Sequence, residues 1–257
     1  MRAVQSLFSL QGKRSVVTGA SGGIGRAAAI ALASAGADVF LIANRNKEGL
    51  LETAQDIERL GRRAWVYQAD LEDLEATDQA ATDALESLGG VDILVNNAGV
   101  IARAAAEDYP IEDWDRVMHV NARAVFRLTQ LIGRHMLENG KGKVINIASV
   151  LSFQGGIRVP AYAASKGAVA QLTKAFANEW AARGINVNAI APGYIATENT
   201  RPIREDHERY AAILDRIPAG RWGEPQDLDG AVIFLASRAS DYMHGHILCV
   251  DGGWLAR

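Results

Sequence analysis

The sequence has one cysteine and five histidines. A single thiol, Cys249, cannot form an intrachain disulfide, so a disulfide-stapled fold is excluded. Cys249 lies in the apolar run 246–250, which is typical of a buried strand, and we expect the thiol to be structural. The histidines have no ligand spacing with carboxylates or thiols. The sequence therefore predicts no metal site.

Long apolar runs and an excess of basic residues are also missing. No run approaches the ~20 apolar residues that cross a bilayer, and the apolar segment 7–10 is too short for the core of a signal peptide. The net charge is −3, and no basic run is interleaved with aromatic residues. We therefore expect a soluble, cytoplasmic protein with neither a membrane nor a nucleic acid as partner.

What the sequence does contain is an alternation of strand-like and helix-like segments. Nearly half of the residues, 49%, are apolar, and no repeat, low-complexity tract or linker is present. This composition predicts one domain over residues 1–257. Alternating elements predict an α/β fold, a Rossmann-type doubly wound parallel sheet with helices on both faces. We expect strands at 14–17, 38–43, 64–69, 91–95, 143–148, 185–190 and 246–250, and helices at 26–35, 48–60, 74–88, 111–137, 160–183 and 226–237.

A glycine-rich turn follows the first strand, at residues 18–25, and a helix follows the turn. Glycines let the backbone turn tightly and approach a pyrophosphate, while the free N–H groups at the helix start attract its charge. The order strand, glycine turn, helix therefore predicts a dinucleotide site. The residues expected to contact the cofactor here are Thr18, Gly19, Ser21, Gly23, Ile24 and Gly25.

The end of the second strand bears on the choice of cofactor. An acidic residue there would bind the 2′-hydroxyl of an adenosine ribose, whereas an arginine can accommodate a 2′-phosphate. The acid is missing, and Asn44, Arg45 and Lys47 stand in its place. This favours NADP(H) over NAD(H), although a solvated charge cluster at a helix start is the alternative.

Three further segments fall at strand ends, where ligands bind in open α/β sheets. Asp70 either hydrogen-bonds the adenine amino group or only opens the loop before the next helix. The small residues of loop 96–99 let backbone and cofactor come close, and the turn 191–197 is placed to flank the cofactor. The candidate contacts in these segments are Asp70, Leu71, Asn97, Ala98, Gly99, Pro192, Gly193 and Thr197.

The helix predicted from Pro160 carries Tyr162 and Lys166 one turn apart, on the same face. A free phenol titrates near pH ~10, but a neighbouring ammonium lowers its pKa by stabilising the phenolate. Tyr162 is therefore a candidate general acid or base. Ser149 ends the fifth strand, so that strand end and helix start can converge on one substrate carbonyl.

Asn121 lies within the predicted helix 111–137. Asparagine inside a helix costs a few tenths of a kcal/mol relative to alanine, because its side chain competes for backbone hydrogen bonds. A kink whose freed backbone group holds a water would offset that cost. A surface asparagine is the alternative.

Together these residues resemble the short-chain dehydrogenase/reductase family over nearly the whole chain. The resemblance includes the glycine turn, the acid at Asp70, the loop 96–99 and a catalytic tetrad. It implies that the tyrosine exchanges a proton with the substrate oxygen and that the lysine holds the nicotinamide ribose and favours the phenolate. It further implies that the serine polarises the carbonyl and that the asparagine orders a water. The matching tetrad residues are Asn121, Ser149, Tyr162 and Lys166.

Within the family, residues 149–257 resemble dehydrogenases of sugar acids, which implies a secondary alcohol or ketone substrate of the 2-keto-3-deoxygluconate type. Arg158 lies between Ser149 and Tyr162 and could bind a carboxylate with both nitrogens. Arg103 follows loop 96–99 and is the second candidate for substrate binding. Ala102 departs from the arginine pair expected at that place.

Two other functions remain as alternatives. A 3-oxoacyl carrier-protein reductase would favour a basic residue at Gly22 and a basic docking patch, and the first is absent. A non-catalytic dinucleotide-binding sensor would have a broken tetrad.

Two expectations concern assembly and access to the site. The apolar residues Trp254 and Leu255 suggest an intersubunit contact, and the family resemblance implies a homotetramer in which long helices pair. The segment 198–223 has no clean periodicity and carries several charges and prolines. We expect it to be a substrate lid, with a fixed surface insertion as the alternative.

Overall fold

The computed structural model describes residues 4–257, and its centre is one parallel β-sheet. Within these residues the strands are Arg14–Thr18 (β1), Asp38–Ala43 (β2), Ala64–Gln68 (β3), Ile93–Asn96 (β4), Gly142–Ile147 (β5), Ile185–Pro192 (β6) and Ile247–Val250 (β7). Their order in the sheet is β3-β2-β1-β4-β5-β6-β7, and every neighbouring pair is parallel. The chain thus reverses its direction of winding between β1 and β4, which is where open α/β sheets bind ligands.

Helices cover both faces of this sheet. They are Val4–Leu7 (α1), Gly23–Ser34 (α2), Lys47–Arg59 (α3), Leu74–Leu88 (α4), Ile111–Met118 (α5), Ala124–Glu138 (α6), Pro160–Trp180 (α7), Arg201–Arg204 (α8), His207–Arg216 (α9) and Asp229–Ala236 (α10). Among the described residues, no helix has both the length and the apolar character to cross a bilayer.

The two faces of the sheet follow from the strand period of two, which sends successive side chains to opposite sides. Val17 packs into a core formed with α2, α3 and α10, whereas its neighbour Val16 packs into a core formed with α4, α6 and α7. Every residue of β2 and of β6 is buried, as expected for strands covered on both sides. The predicted doubly wound α/β fold is confirmed.

The long helix predicted at 111–137 is interrupted at the position of Asn121. Helix α5 ends at Met118, residues 119–123 form one π-helical turn, and α6 continues from Ala124. Such single π turns relax the regular hydrogen-bond ladder within a helix. Asn121 is completely buried in this turn, so the interpretation as a surface asparagine was wrong.

The predicted lid, residues 198–223, contains α8 and α9. Tyr210 of α9 stacks on Trp222 with ring centroids 5.5 Å apart, and Ile213 of the same helix packs into the same apolar cluster. The cluster also includes Trp254, which is only 4% exposed. Helix α9 therefore covers Trp254 within the same chain, and the intersubunit contact expected from Trp254 and Leu255 stays a prediction.

The buried strand expected around Cys249 is also corrected. Among residues 4–257, strand β7 lies at the edge of the sheet, with a neighbour on one side alone. None of its residues is fully buried, and the Cys249 residue is exposed. An apolar run predicts a strand, but it does not show whether that strand lies in the middle of the sheet or at its edge.

Candidate active site

The glycine-rich turn after β1 is fixed by contacts between backbone atoms. Gly19 has φ of +67°, a conformation that favours glycine. A Cβ on Gly25 would lie 2.1 Å from the carbonyl oxygen of Gly19, so α2 starts too close to the turn for any side chain there. The turn is also tied to β4: the Asn97 amide donates to the carbonyl oxygen of Thr18, and the backbone N–H of Ala98 donates to the Thr18 hydroxyl.

This turn borders a groove that can hold a dinucleotide. Gly22 caps α2 without a side-chain hydrogen bond, so the first N–H groups of the helix are open to an anion. A Cβ on Gly23 would lie 3.2 Å from the Thr197 methyl group, which places the turn after β6 on the opposite side. The predicted cofactor residues that line the groove are Gly19, Ser21, Gly23, Ile24, Asn44, Arg45, Asp70, Leu71, Asn97, Ala98, Gly99, Tyr162, Lys166 and Thr197.

Four predicted cofactor residues do not line the groove. Thr18 and Gly25 shape the groove without lining it: the Thr18 hydroxyl accepts from the N–H of Ala98, and Gly25 packs against the carbonyl of Gly19. Pro192 is buried as the last residue of β6, and Gly193 instead lines the neighbouring cavity. Their roles as direct contacts stay predictions.

The far end of the groove holds the residues expected to read the adenosine. Asn44 and Arg45 are exposed, and within residues 4–257 the Arg45 guanidinium has neither an ion pair nor a hydrogen bond. Arg116, which also lines this end, is paired with Asp113 at 2.7 Å. Asp70 accepts a hydrogen bond from the backbone N–H of Glu72 at 3.0 Å while facing the groove. It can therefore shape the loop and meet a ligand at the same time.

At its other end the groove meets a second cavity, at Tyr162. Lys166 lies below, 4% exposed, with its Nζ donating to the carbonyl oxygen of Ile147 at 2.6 Å and lying 5.6 Å from the centroid of the Tyr162 ring. Burial lowers the pKa of Lys166 from its ordinary value of 10.5 to about 8. The ammonium therefore gives up its proton far more readily than a surface lysine does.

The phenol of Tyr162 behaves differently from the expectation. The residue is partly exposed where the groove meets the cavity, but desolvation by the surrounding protein raises the pKa of Tyr162 above its usual value. Hydrogen bonding to Ser149 and the charge of Arg103 oppose the shift without reversing it. The prediction that Lys166 lowers this pKa was wrong for this structure, since desolvation of the phenolate outweighs the favourable charges.

Asn121 is joined to the helix that carries Tyr162 through a residue that the sequence did not single out. Its side chain accepts from the N–H of Val100 at 2.8 Å and donates to the carbonyl oxygen of Val100 at 2.9 Å. The same amide donates to the Ser165 hydroxyl at 3.1 Å, which in turn donates to the carbonyl oxygen of Tyr162 at 2.8 Å. Ser165 has no sequence signal beyond its place one turn after the tyrosine.

The second cavity lies between Tyr162 and the predicted lid. Its polar lining includes Ser149, Tyr162 and Arg103, and Arg209 of α9 enters it from the lid side. Within the described part of the chain no acidic residue lines it. Arg209 was missed from the sequence because it lay among the charges of a segment that has no clean periodicity.

Arg158 is not brought to this cavity, although both of its neighbours line it, Ile157 and Val159. Its residue is exposed, and its φ of 64° is the single positive value among non-glycine residues 4–257. The backbone carbonyl of Arg158 accepts from the N–H of Ala104 at 3.1 Å. A role of Arg158 in substrate binding stays a prediction without support from this geometry.

The arrangement can perform proton transfer at an oxygen atom. A phenol, a hydroxyl and an ammonium surround the junction of groove and cavity, where a ligand bound in one would touch a ligand bound in the other. The glycine cradle and the uncapped start of α2 fit a dinucleotide in the groove. Among residues 4–257 no group of three or more His, Cys, Asp or Glu side chains is placed to hold a metal ion.

Comparison with known proteins agrees with this geometry. Residues 13–208 match the short chain dehydrogenase family. The 2-dehydro-3-deoxy-D-gluconate 5-dehydrogenase of Bacillus subtilis (strain 168) is 58% identical over 257 residues, with 100% of both chains covered. The protein of the same name from Escherichia coli (strain K12) is 51% identical over 255 residues, which are 99% of this chain and 100% of that protein.

A solved structure extends the similarity to three dimensions. The crystal structure of a gluconate 5-dehydrogenase from Burkholderia cenocepacia J2315, in complex with NADP and tartrate, superposes with a TM-score of 0.94. It is 40% identical to this chain and covers 99% of it, with 100% of that chain covered in return. The sequence match, the fold and the cofactor groove together lead to one conclusion: this chain belongs to the short-chain dehydrogenase family and is an NAD(P)-dependent dehydrogenase or reductase of CH–OH groups.

Proposed function

We propose that the protein interconverts a secondary alcohol and a ketone on a sugar acid, of the 2-keto-3-deoxygluconate type. The observation that carries the proposal is the cavity beside Tyr162, which joins a hydroxyl-bearing reaction centre to two guanidinium groups and no carboxylate among residues 4–257. A polyhydroxylated acid supplies the matching groups, an oxygen for the centre and an anion for the guanidiniums. The relatives named above support the same substrate class.

Each residue of the reaction centre then has a role. The nicotinamide cofactor supplies or accepts the hydride. Tyr162 exchanges the proton with the reacting oxygen, and Ser149, whose hydroxyl faces the phenol, polarises that oxygen. Lys166 holds the nicotinamide ribose, and its pKa of about 8 lets it exchange a proton near neutral pH. Asn121 links the loop after β4 to α7 and orders the proton relay.

A direct test is a screen of wild-type protein with deoxy-ketogluconates, gluconate and acetoacetyl thioesters, each with both cofactors, followed by absorbance of the reduced nicotinamide. Turnover of a sugar acid well above the thioesters is the expected result. Preferential turnover of thioesters would overturn the proposal in favour of a 3-oxoacyl carrier-protein reductase. Tight cofactor binding without any turnover would identify a non-catalytic sensor.

We also propose that the preferred cofactor is NADP(H). The Arg45 guanidinium is exposed at the adenosine end of the groove and free of other partners among the described residues. A charge-assisted contact with a 2′-phosphate contributes about 1.5–3 kcal/mol. Arg45→Ala should therefore weaken NADP(H) more than NAD(H) in fluorescence titrations. Equal losses for both cofactors would remove this preference.

Further proposals concern the assembly and its surroundings. We propose a homotetramer: Phe126 of α6 is 39% exposed and stacks with Phe176 of α7 at 5.8 Å, so an aromatic pair is available where these two long helices meet. Sedimentation velocity should show tetramer for wild type and smaller species for Phe126→Glu, and wild-type monomer at micromolar concentration would refute it. A single domain, a lid at 198–223 and a cytoplasmic location remain expectations of the same proposal.

A further inference from the structure

We infer that Arg209 is a substrate-binding residue, which together with Arg103 holds the carboxylate of the substrate between the lid helix α9 and the loop after β4. The inference rests on the proposed sugar-acid function and extends it to a residue outside the family's tetrad. It assigns the specificity for an acid to a pair of guanidiniums that come from two separate segments lining the same cavity.

Arg103 and Arg209 line the same cavity as Ser149 and Tyr162, the first from the loop after β4 and the second from α9. The charge of Arg209 is felt by Arg103, and that of Arg103 by the Tyr162 phenol, so the three groups form a continuous sequence across the cavity. A carboxylate between the two arginines would therefore leave the rest of a short carbon chain beside the phenol.

The charges of Arg103 and Arg209 favour a bound anion. Burial and the neighbouring Arg209 both lower the pKa of Arg103, which shows that the two cations repel each other in a partly desolvated place. Arg103 donates one hydrogen bond, to the backbone carbonyl of Asn199 at 2.8 Å, and that oxygen does not neutralise it. Two partly buried guanidiniums without a counter-ion are stabilised by an anion that accepts from both.

The side chain of Arg209 has no partner within the described protein. In the stretch 4–257, its guanidinium makes neither a hydrogen bond nor an ion pair. Two acids of the segment have other partners: Asp206 accepts from the backbone N–H of Arg209 at the start of α9, and Glu198 pairs with Arg201. The side chain of Arg209 is thus available to a ligand.

Helix α9, which carries Arg209, is held in place by packing against an aromatic cluster. On its other side α9 is anchored by the stacked rings of Tyr210 and Trp222 and by Ile213 in the same cluster. The residue next to Arg209 is therefore fixed, so the guanidinium is presented from a braced helix. A carboxylate bound to both arginines would also join α9 to the loop that carries Arg103, which closes the cavity over the substrate.

The test compares Arg209→Met with the control Arg201→Met, which removes the same charge from an exposed residue that does not line the cavity. Each protein is assayed on the best sugar acid and on its primary amide, which keeps every hydroxyl but has no charge. We expect Arg209→Met to lower kcat/KM for the acid about 10- to 100-fold, as for loss of a charge-assisted contact. The amide rate and both rates of the control should stay near wild type, and Arg209→Lys should recover part of the loss.

Other outcomes are equally decisive. If Arg209→Met loses activity equally on the acid and on the amide, the inference is wrong. It is also wrong if Arg209→Met keeps wild-type activity on both. If wild type itself shows no preference for the acid over the amide, the proposed function fails first, whatever the variant does. Calorimetric titration of the cofactor-loaded proteins with the same acid gives a readout without turnover, and an unchanged Kd in Arg209→Met would also overturn the inference.

Discussion

The cofactor groove and the substrate cavity of this protein meet at Tyr162, yet they are built in different ways. The groove is shaped by backbone: Gly25 packs against the carbonyl of Gly19, and Asn97 ties the turn to the neighbouring strand. The cavity is lined by side chains from separated segments, including Arg103 and Arg209, with few bonds between them. The difference shows that the glycine turn of the groove is specified by a short stretch of sequence and the cavity only by the finished fold.

The largest expected effect lies where the two regions meet. Tyr162→Phe keeps the ring packing and removes the exchangeable proton, so kcat should fall by about 10²–10⁴-fold, the usual contribution of a general acid or base. Cofactor affinity should change little, because the groove does not depend on the hydroxyl. Steady-state kinetics checks the fall in kcat, and a fluorescence titration of the cofactor checks its affinity. A variant that kept most of its kcat would refute the assignment of Tyr162.

The burial of Lys166 beside the groove imposes a stability cost on the fold. Below pH 8 both the folded and unfolded states carry the proton, and the folded state bears the full cost of the buried ammonium. Between about 8 and 10.5 the unfolded state binds more protons, so stability should rise with pH. The whole shift corresponds to about 3 kcal/mol.

Lys166→Met removes this titration. Its free energy of unfolding, measured relative to wild type in urea at pH 7 to 10, should therefore fall by about 2–3 kcal/mol over that range. Because both proteins carry the other titrating groups, those groups contribute equally and do not affect the difference between the two free energies of unfolding. A difference that does not depend on pH would mean that the lysine is not desolvated in the folded protein.

A smaller effect tests whether backbone contacts specify the groove. Gly25→Ala places a methyl group 2.1 Å from the carbonyl of Gly19, and overpacking of this kind costs about 1–3 kcal/mol. The matched control is Gly22→Ala in the same turn, where a Cβ would meet no atom within 4 Å. Thermal unfolding of the ligand-free proteins should show destabilisation for the first variant alone. Equal melting temperatures for the two would contradict a close-packed turn.

The smallest effect concerns the loop on the cavity side. Arg158 has φ of 64°, which costs an L-residue roughly 1–2 kcal/mol that glycine avoids. Arg158→Gly should therefore be about 1 kcal/mol more stable than Arg158→Ala in chemical unfolding. Both variants should keep the preference for acid over amide if Arg103 and Arg209 hold the carboxylate. Selective loss of activity on the acid in both variants would instead make Arg158 the anchor.

The same contrast explains which features could be predicted from the sequence. The glycine turn and the pair Tyr162 and Lys166 are short-range patterns, and the structure places them beside the groove as expected. The strands are confirmed within a few residues, since their apolar runs depend on local composition. Local order of this kind is visible in any window of ten residues or so.

The features that escaped prediction depend on contacts between distant segments. Cys249 is exposed because β7 has no outer neighbour in the described part of the chain, and Trp254 is buried because α9 folds over it. Ser165 and Arg209 matter through partners on other elements, Asn121 for the first and Arg103 for the second. The pKa of Tyr162 likewise depends on how deeply the folded chain surrounds its hydroxyl.

The aromatic cluster beneath α9 has an optical consequence. Trp222 and Trp254, two of the five tryptophans, lie there with Tyr194, and the guanidinium of Arg216 on α9 sits 3.9 Å above the Trp254 ring. Both indole nitrogens are buried without a hydrogen-bond partner among residues 4–257. Their emission should therefore be blue-shifted at rest. Any displacement of α9 would wet these rings and remove the cation above one of them, so tryptophan fluorescence reports the motion of this helix without an attached dye.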